Sequence, residues 1–400
     1  MMKTKFILFI GAIAFAFASC ESDDTADIII EDNSVTTINN NGGGDDGGDD
    51  VVILSGVYTS DLNLTADQDY LVNGPVIMSS GTTLNIAPGT TVRVAPVGVN
   101  AYIAITQGAK IIADANANNP IVFTSNASNP GSGDWGGLVL CGFAPINSTA
   151  VGSTDTSTTE IGSLSYGGND PADDSGILRY VRVEYAGGAI NGNTELNGVS
   201  IHGVGNTTVM DYVQLYFGSD DGFEFFGGTV NASHLSVVGS EDDSIDWTEG
   251  YTGNLTDIYI EQIAGAHDKA FECDGYNTDF SNEGGYFSAP NVTNVTIVGS
   301  GDTDDEAIRL RAGTQGIFTN VLISDFDEGF DLDGDMGDNP TGQGVLDDLL
   351  QAIDVTFNNV NTKVKNDTTF TFDEADFLSG DGNGTGTDYA TWGAGWTRGL

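Results

Sequence analysis

The chain has 400 residues, 58 of them acidic against 12 Lys or Arg, for a formal charge of −46. A field of that sign repels nucleic acid and anionic lipid, and favours divalent cations or a basic protein as partners. With 55 Gly, 9 Pro and 39% hydrophobic residues, the composition excludes wholesale disorder and suits a long thin core built from many small units.

The first element in chain order is a leader. Lys3 and Lys5 precede an apolar run from Phe6 to Phe17, followed by Ala18-Ser19-Cys20. Residues 1–19 have the layout of a secretory signal peptide, and the apolar run is too short to span a bilayer as a helix. The small residues before Cys20 resemble a bacterial lipobox, which implies a lipid on Cys20. Behind it, Glu21-Ser22-Asp23-Asp24 resembles the acidic tag that sends Bacteroidota lipoproteins to the outer face of the outer membrane.

Residues 20–50 read as a disordered tether. The run Asn39-Asn40-Asn41-Gly42-Gly43-Gly44-Asp45-Asp46 has no apolar surface to bury and carries charge that repels itself. About 30 such residues reach roughly 100 Å at full extension.

From residue 51 to 400 short strand patterns run almost unbroken. Thr83-Leu84-Asn85-Ile86, Thr91-Val92-Arg93-Val94, Ile121-Val122-Phe123-Thr124 and Gly137-Leu138-Val139-Leu140 each alternate apolar residues and end near Gly, Asn or Pro. Residues 143–175, rich in Ser, Thr, Gly and Asp, read as a long loop, and Gly275 to Pro290 as a second excursion. Val345 to Ile353 is the best window for a short helix. The tail through Trp392, Gly395 and Trp396 reads as an aromatic cover for the last open rung.

One hexad recurs. Asp220-Asp221-Gly222-Phe223-Glu224-Phe225 is followed by Asp242-Asp243-Ser244-Ile245-Asp246-Trp247 and Asp268-Lys269-Ala270-Phe271-Glu272-Cys273. Asp305-Glu306-Ala307-Ile308-Arg309-Leu310 and Asp327-Glu328-Gly329-Phe330-Asp331-Leu332 complete the set, and Gly198-Val199-Ser200-Ile201-His202 is a weaker copy before it. Such spacing with a strand in each copy predicts a β solenoid, in which one sequence position becomes one column in space.

Gly133-Asp134-Trp135-Gly136-Gly137-Leu138, Tyr166-Gly167-Gly168-Asn169-Asp170-Pro171, Leu178 to Tyr185 and Asp220 to Gly228 resemble a widespread family of bacterial surface lipoproteins. The resemblance spans about residues 55–398. It implies a single-stranded, right-handed parallel β-helix, an all-β fold, and brings no established activity. Members are often labelled multidrug transporters, which suits this chain poorly: no apolar run after the leader is long enough for a spanning helix.

Period-2 alternation points Phe223, Ile245, Phe271, Ile308 and Phe330 inward, and Glu224, Asp246, Glu272, Arg309 and Asp331 outward, with rungs about 4.8 Å apart. A second outward ladder holds Phe226, Thr248, Asp274, Arg311 and Asp333. Arg309 and Arg311 thus share a rung between Glu272 and Asp274 on one side and Asp331 and Asp333 on the other. These six either relieve like-charge repulsion or clamp a small anionic or carbohydrate ligand. Asp220, Asp242, Asp268, Asp305 and Asp327 lead each copy, where short side chains hold corners. Together with Asp221 and Asp243 they also form an oxygen-rich set suited to calcium. The outward column also takes Cys141 and His202, while Cys273 faces inward, so no disulfide is expected between the two cysteines. The three histidines lie too far apart in sequence for a zinc site.

Three function classes remain. One is a surface lipoprotein that binds an extracellular ligand, as accessory to a TonB-dependent transporter of the outer membrane. Another is a polysaccharide lyase or hydrolase, with Lys269 as a lyase base if its pKa were depressed. The third is an adhesin or spacer.

Overall fold

The computed structural model describes residues 36–38, 51–191, 194–302, 305–333 and 340–399. The leader, Cys20 and the acidic run behind it lie outside the described residues, as does all of the tether except Thr36–Ile38. Those three residues pair antiparallel with residues 51–53. The first turn of a coil offers an unpaired edge that can receive such a segment.

From 51 onward the protein is a parallel β-helix. Each turn lays down three short strands, and successive turns pair in parallel to make three ladders. The first ladder climbs through Leu138–Cys141, Val199–His202, Phe223–Phe226, Ile245–Thr248, Phe271–Asp274 and Glu306–Arg311 to residues 328–332. All five full hexads therefore stand over one another. Long strands such as Val209–Gly218, Asn231–Ser240 and Asn254–Glu261 bend once in the middle and supply the other two ladders.

Alternation sets the core. Phe223, Phe225, Ile245, Trp247, Phe271, Cys273, Ile308, Leu310, Phe330 and Leu332 are all fully buried. The small residue before each strand marks a tight approach: a Cβ on Gly222 would sit 2.4 Å from the Ser244 carbonyl oxygen.

The bend between the second and third ladders is a column of left-handed residues. Tyr180, Tyr212, His234, Asp257, Asn294, Asn320 and Asp354 have φ between 52° and 59°. Such conformations cost roughly 1 kcal/mol or more each for residues with a Cβ. Stacking along the column offsets the cost: Tyr180 on Tyr212 at 4.3 Å, Tyr212 on His234 at 3.9 Å, then Asn294 Nδ2 donating to Asp257 Oδ1 at 3.0 Å and Asn320 Nδ2 to Asn294 Oδ1 at 2.8 Å.

Two expected elements differ. The helix is Thr341–Leu346 rather than Val345 to Ile353, because Leu350–Asn366 is a strand whose register with residues 316–332 buries Leu350 and Ala352. Pairing with a waiting edge overrides the local pattern. The tail does not cover the last rung; Phe377 does that, packing on Phe330 at 5.2 Å. Residues 385–398 instead run back along the left-handed column. Thr385 N–H donates to Asn320 Oδ1 (2.7 Å), Thr387 Oγ1 to Asp257 Oδ1 (3.1 Å), Trp392 meets His234 (5.4 Å), and Trp396 is buried against Tyr180 (5.5 Å). Arg182 Nη1 then donates to the Trp396 carbonyl at 2.8 Å. Aromatic bulk goes where a stacked aromatic surface already exists.

Both excursions are present. Residues 143–175 hold a small hairpin, Ser157–Thr158 with Ser165–Tyr166. Cys141 faces outward as expected, yet it is buried in a second apolar cluster with Tyr102, Ile146, Tyr166, Leu196 and Phe226. Both Cys141 and Cys273 are free thiols.

Candidate functional site

The acid wall is built by three consecutive strands of the first ladder, in which Glu224 lies opposite Asp246 and Asp246 opposite Glu272. The acids that open each hexad sit just before these strands. Asp221 Oδ1 accepts the Asp243 N–H at 3.0 Å, and Asp243 Oδ1 accepts the Lys269 N–H at 2.7 Å. Here the second acid of the pair ties rung to rung. Asp220, Asp221 and Asp242 bring one oxygen apiece within 4.8 Å of each other, and so do Asp242, Asp243 and Asp268, Asp221, Glu224 and Asp246, and Asp243, Asp246 and Glu272. Asp305 and Asp327 leave this group: Asp305 gathers with His267 and Asp302, while Asp327 Oδ1 accepts Asn361 Nδ2 at 2.6 Å.

Electrostatics separate the members. Burial, compounded by neighbouring carboxylates, pushes Asp221, Asp243 and Asp246 well above the usual carboxylate range. Burial does the same to Glu224, although Asn197 Nδ2 donates to it at 2.6 Å. Asp246 Oδ1 is shut from solvent and has no hydrogen-bond partner. The cations nearby are already engaged. Lys269 pairs with Asp268 and lies 3.6 Å from Glu272; Arg311 pairs with Glu272 and reaches Asp274 at 2.5 Å.

Lys269 does not suit the lyase base expected of it. Burial alone lowers its pKa, but Asp243, Asp268 and Glu272 outweigh burial and hold it above the ordinary lysine value. A lyase base needs a depressed pKa, and the shift here runs the other way.

The arginine rung has the expected register: Glu272, Arg309 and Asp331 are successive partners, and Asp274 lies opposite Arg311. Its surface differs. Glu272, Asp274, Asp331 and Asp333 are buried, so this stretch is no open wall. Arg309 bonds Asp333 through Nε at 2.9 Å and Nη2 at 2.6 Å, and Arg311 grips Asp274. The guanidinium forks close on the ladder's own carboxylates, and this internal neutralisation shuts out the anion clamp. Burial raises Asp274 to about 6 against the pull of Arg311. Burial and Glu306 raise Asp331 to about 7 despite Lys365.

For a metal, the triple Asp221, Glu224 and Asp246 offers hard oxygens of the kind calcium prefers. Three carboxylates leave part of a six-to-eight-oxygen shell for water or for ligand hydroxyls.

Sequence reasoning missed Asn197, Tyr166 and Glu249. The excursions fold over the wall here and leave a cavity of about 90 Å³ lined by Tyr166, His202, Phe226 and Glu249. One signal was legible. Glu249 has φ +51°, and the equivalent place in the two preceding rungs holds Gly203 and Gly227, also at positive φ. A Glu where neighbouring turns use Gly marks a strained side chain held for a reason.

No curated protein matches the chain significantly. Two solved structures match it at low similarity. The catalytic unit of a thermostable GH87 α-1,3-glucanase from Streptomyces thermodiastaticus strain HF3-3 is 11% identical with a TM-score of 0.39; 86% of this chain aligns with 64% of that one. A GH87 α-1,3-glucanase catalytic domain in complex with tetrasaccharides is 12% identical with a TM-score of 0.33, covering 80% of this chain and 64% of that one. The model of the pectate-lyase-like β-helix domain matches residues 56–397, and the chain belongs to that family.

Proposed function

We propose that the chain is a lipid-anchored surface protein that binds a carbohydrate ligand through calcium held on the acid wall. The observation that carries this reading is the charge imbalance at Asp221, Glu224, Asp243 and Asp246, which crowd together while Arg311 pairs with Glu272 and Asp274 and Lys269 is shared among Asp243, Asp268 and Glu272. Like charges this close stay ionised only with a cation between them. A calcium ion held by Asp221, Glu224 and Asp246 keeps open positions that vicinal hydroxyls or a uronate fill. The lipobox-like Ala18-Ser19-Cys20 and the acidic tether support display at the outer face of the outer membrane, where hand-over to a TonB-dependent transporter is the partnership the placement suits. Calorimetric titration of the chelator-stripped chain with calcium tests the reading. Saturable binding, weakened at least tenfold in Asp246→Asn, and calcium-dependent retention on a polygalacturonate or alginate gel are expected. A stripped wild-type chain that takes up no calcium overturns it.

A second reading is glycoside hydrolysis, favoured by the inequality of two facing acids. Burial pushes the Asp246 pKa well above the usual carboxylate range, whereas Glu272 lies against Arg311 and Lys269. A proton donor beside an ionised carboxylate is the pair such hydrolysis requires. Reducing ends released from uronans or neutral glucans, and lost in both Asp246→Asn and Glu272→Gln, would establish it; wild-type protein that releases none excludes it.

A further inference from the structure

The cavity beneath the two excursions is chemically unlike the acid wall beside it. Glu249, at its floor, is wholly buried and strained at φ +51°. Its oxygens accept the Tyr166 hydroxyl at 3.1 and 3.2 Å and Ser148 Oγ at 3.3 Å, both from the first excursion, and Asn277 bonds it from the second. Each donor satisfies the carboxylate locally, yet none supplies charge. No Lys or Arg lines the space.

His202 forms another wall. It is 3% exposed, stacks on Phe226 at 4.0 Å, lies tilted against Tyr166 at 4.7 Å, and its Nδ1 has no hydrogen-bond partner. Burial drives its pKa down to about 3, so the ring is neutral and offers a lone pair wherever the proton sits on Nε2. Glu160 and Asp279 stand at the mouth. Negative groups, an orphaned nitrogen and aromatic rings around about 90 Å³ exclude an anion and leave no room for a sugar chain. Calcium is poorly served too, since it takes oxygen ligands and one wall is carbon and nitrogen. A compact organic cation satisfies all of these groups at once, with three N–H donors for the acceptors and a charge for the rings.

We infer that this cavity is a binding site for a small primary ammonium group, with Glu249 as its counter-ion and His202 Nδ1 as a further acceptor. Its residues differ from the proposed calcium ligands, although Glu224 of the acid wall interacts electrostatically with Glu249 and Glu160. It gives the protein a means of recognising amino-bearing ligands, whether free amines or the amino groups of a larger molecule whose remainder projects past Glu160 and Asp279.

Binding is also coupled to protons. Burial raises Glu249 to about 7 against the bonds from Tyr166, Ser148 and Asn277. The titratable groups that face it are Tyr166 and Glu160 from the first excursion, Asp279 and Tyr286 from the second, and His202 and Glu224 from neighbouring rungs. An ammonium needs the ionised carboxylate, so affinity falls as pH drops below about 7, approaching tenfold per unit.

Ethanolamine and its neutral counterpart of the same shape, ethylene glycol, separate charge recognition from mere filling of space. Calorimetry on the intact chain is expected to show saturable binding of ethanolamine, with ethylene glycol at least tenfold weaker. Glu249→Gln should reduce ethanolamine affinity at least tenfold, and binding below pH 7 should release heat that varies with the buffer's ionisation enthalpy. Equal binding of the two probes, or wild-type affinity unchanged between pH 5.5 and 8, overturns the proposal. The pH series on wild-type protein decides the matter even if Glu249→Gln fails to fold.

Discussion

Asp246 and Glu272 face each other on adjacent rungs, and only Glu272 has cations of its own, Arg311 and Lys269. The unequal pair sits in a wall where Asp221, Glu224, Asp243 and Asp246 all hold protons above their ordinary values of 3.8 for Asp and 4.5 for Glu. Raised values mean that the folded state binds more protons than the unfolded one. The resulting stability is complete below those ordinary values and is lost as pH rises through the folded ones. Without divalent cations, the melting temperature should therefore fall on going from pH 4 towards 8. Saturating calcium should flatten the curve, and Asp246→Asn should flatten it in part without calcium. A cation-free melting temperature that climbs with pH contradicts this account.

Arg311 offsets part of that excess of acid by pairing with Glu272 and Asp274. Replacing it with Ala strands Asp274 and Glu272, both buried, without their shared guanidinium. Breaking such a pair costs about 3–5 kcal/mol. Urea unfolding at pH 7.5 should show a loss of that order, shrinking below the Asp274 value of about 6, where its proton replaces the arginine.

Much of this was legible in the chain, for one reason: period-2 alternation and a repeated hexad are local signals that translate directly into columns. Register between Glu272, Arg309 and Asp331 follows from them alone. Burial does not. Whether Asp331 is open or shut depends on where Arg309 and Lys365 swing, and long side chains settle that in three dimensions. The cavity at Glu249 was hidden for a related reason, since the excursions bring Glu160, Tyr166 and Asn277 over His202 and Glu249 of the coil. Likewise, the tail carried aromatic bulk without naming the rungs it would meet.

Cys141 and Cys273 should be inert in the native protein. Burial lifts Cys141 to about 12 and Cys273 well above the usual thiol value. A thiol reagent at pH 8 should leave the peptides that contain them unmodified until denaturant is added; prompt native labelling of either would show that its rung opens.

Trp396 lies fully buried on Tyr180 and Tyr212, and its carbonyl accepts Arg182. Trp396→Ala should cost about 3–5 kcal/mol. Hydrogen exchange should rise first in the strands carrying residues 180, 212 and 234, far from 396 in sequence, and unchanged protection there would show that the tail merely rests on the coil.

In a plain stack of turns, each layer is held by its two neighbours, and fraying at one end spreads inward. Residues 385–398 alter that rule, because they lace turns from Asn320 back to Arg182 along one edge. The lacing is synthesised after every layer it fastens. A growing chain is thus left with an unzipped seam until its late residues emerge, and pulling on those residues loads the middle of the molecule instead of its last turn.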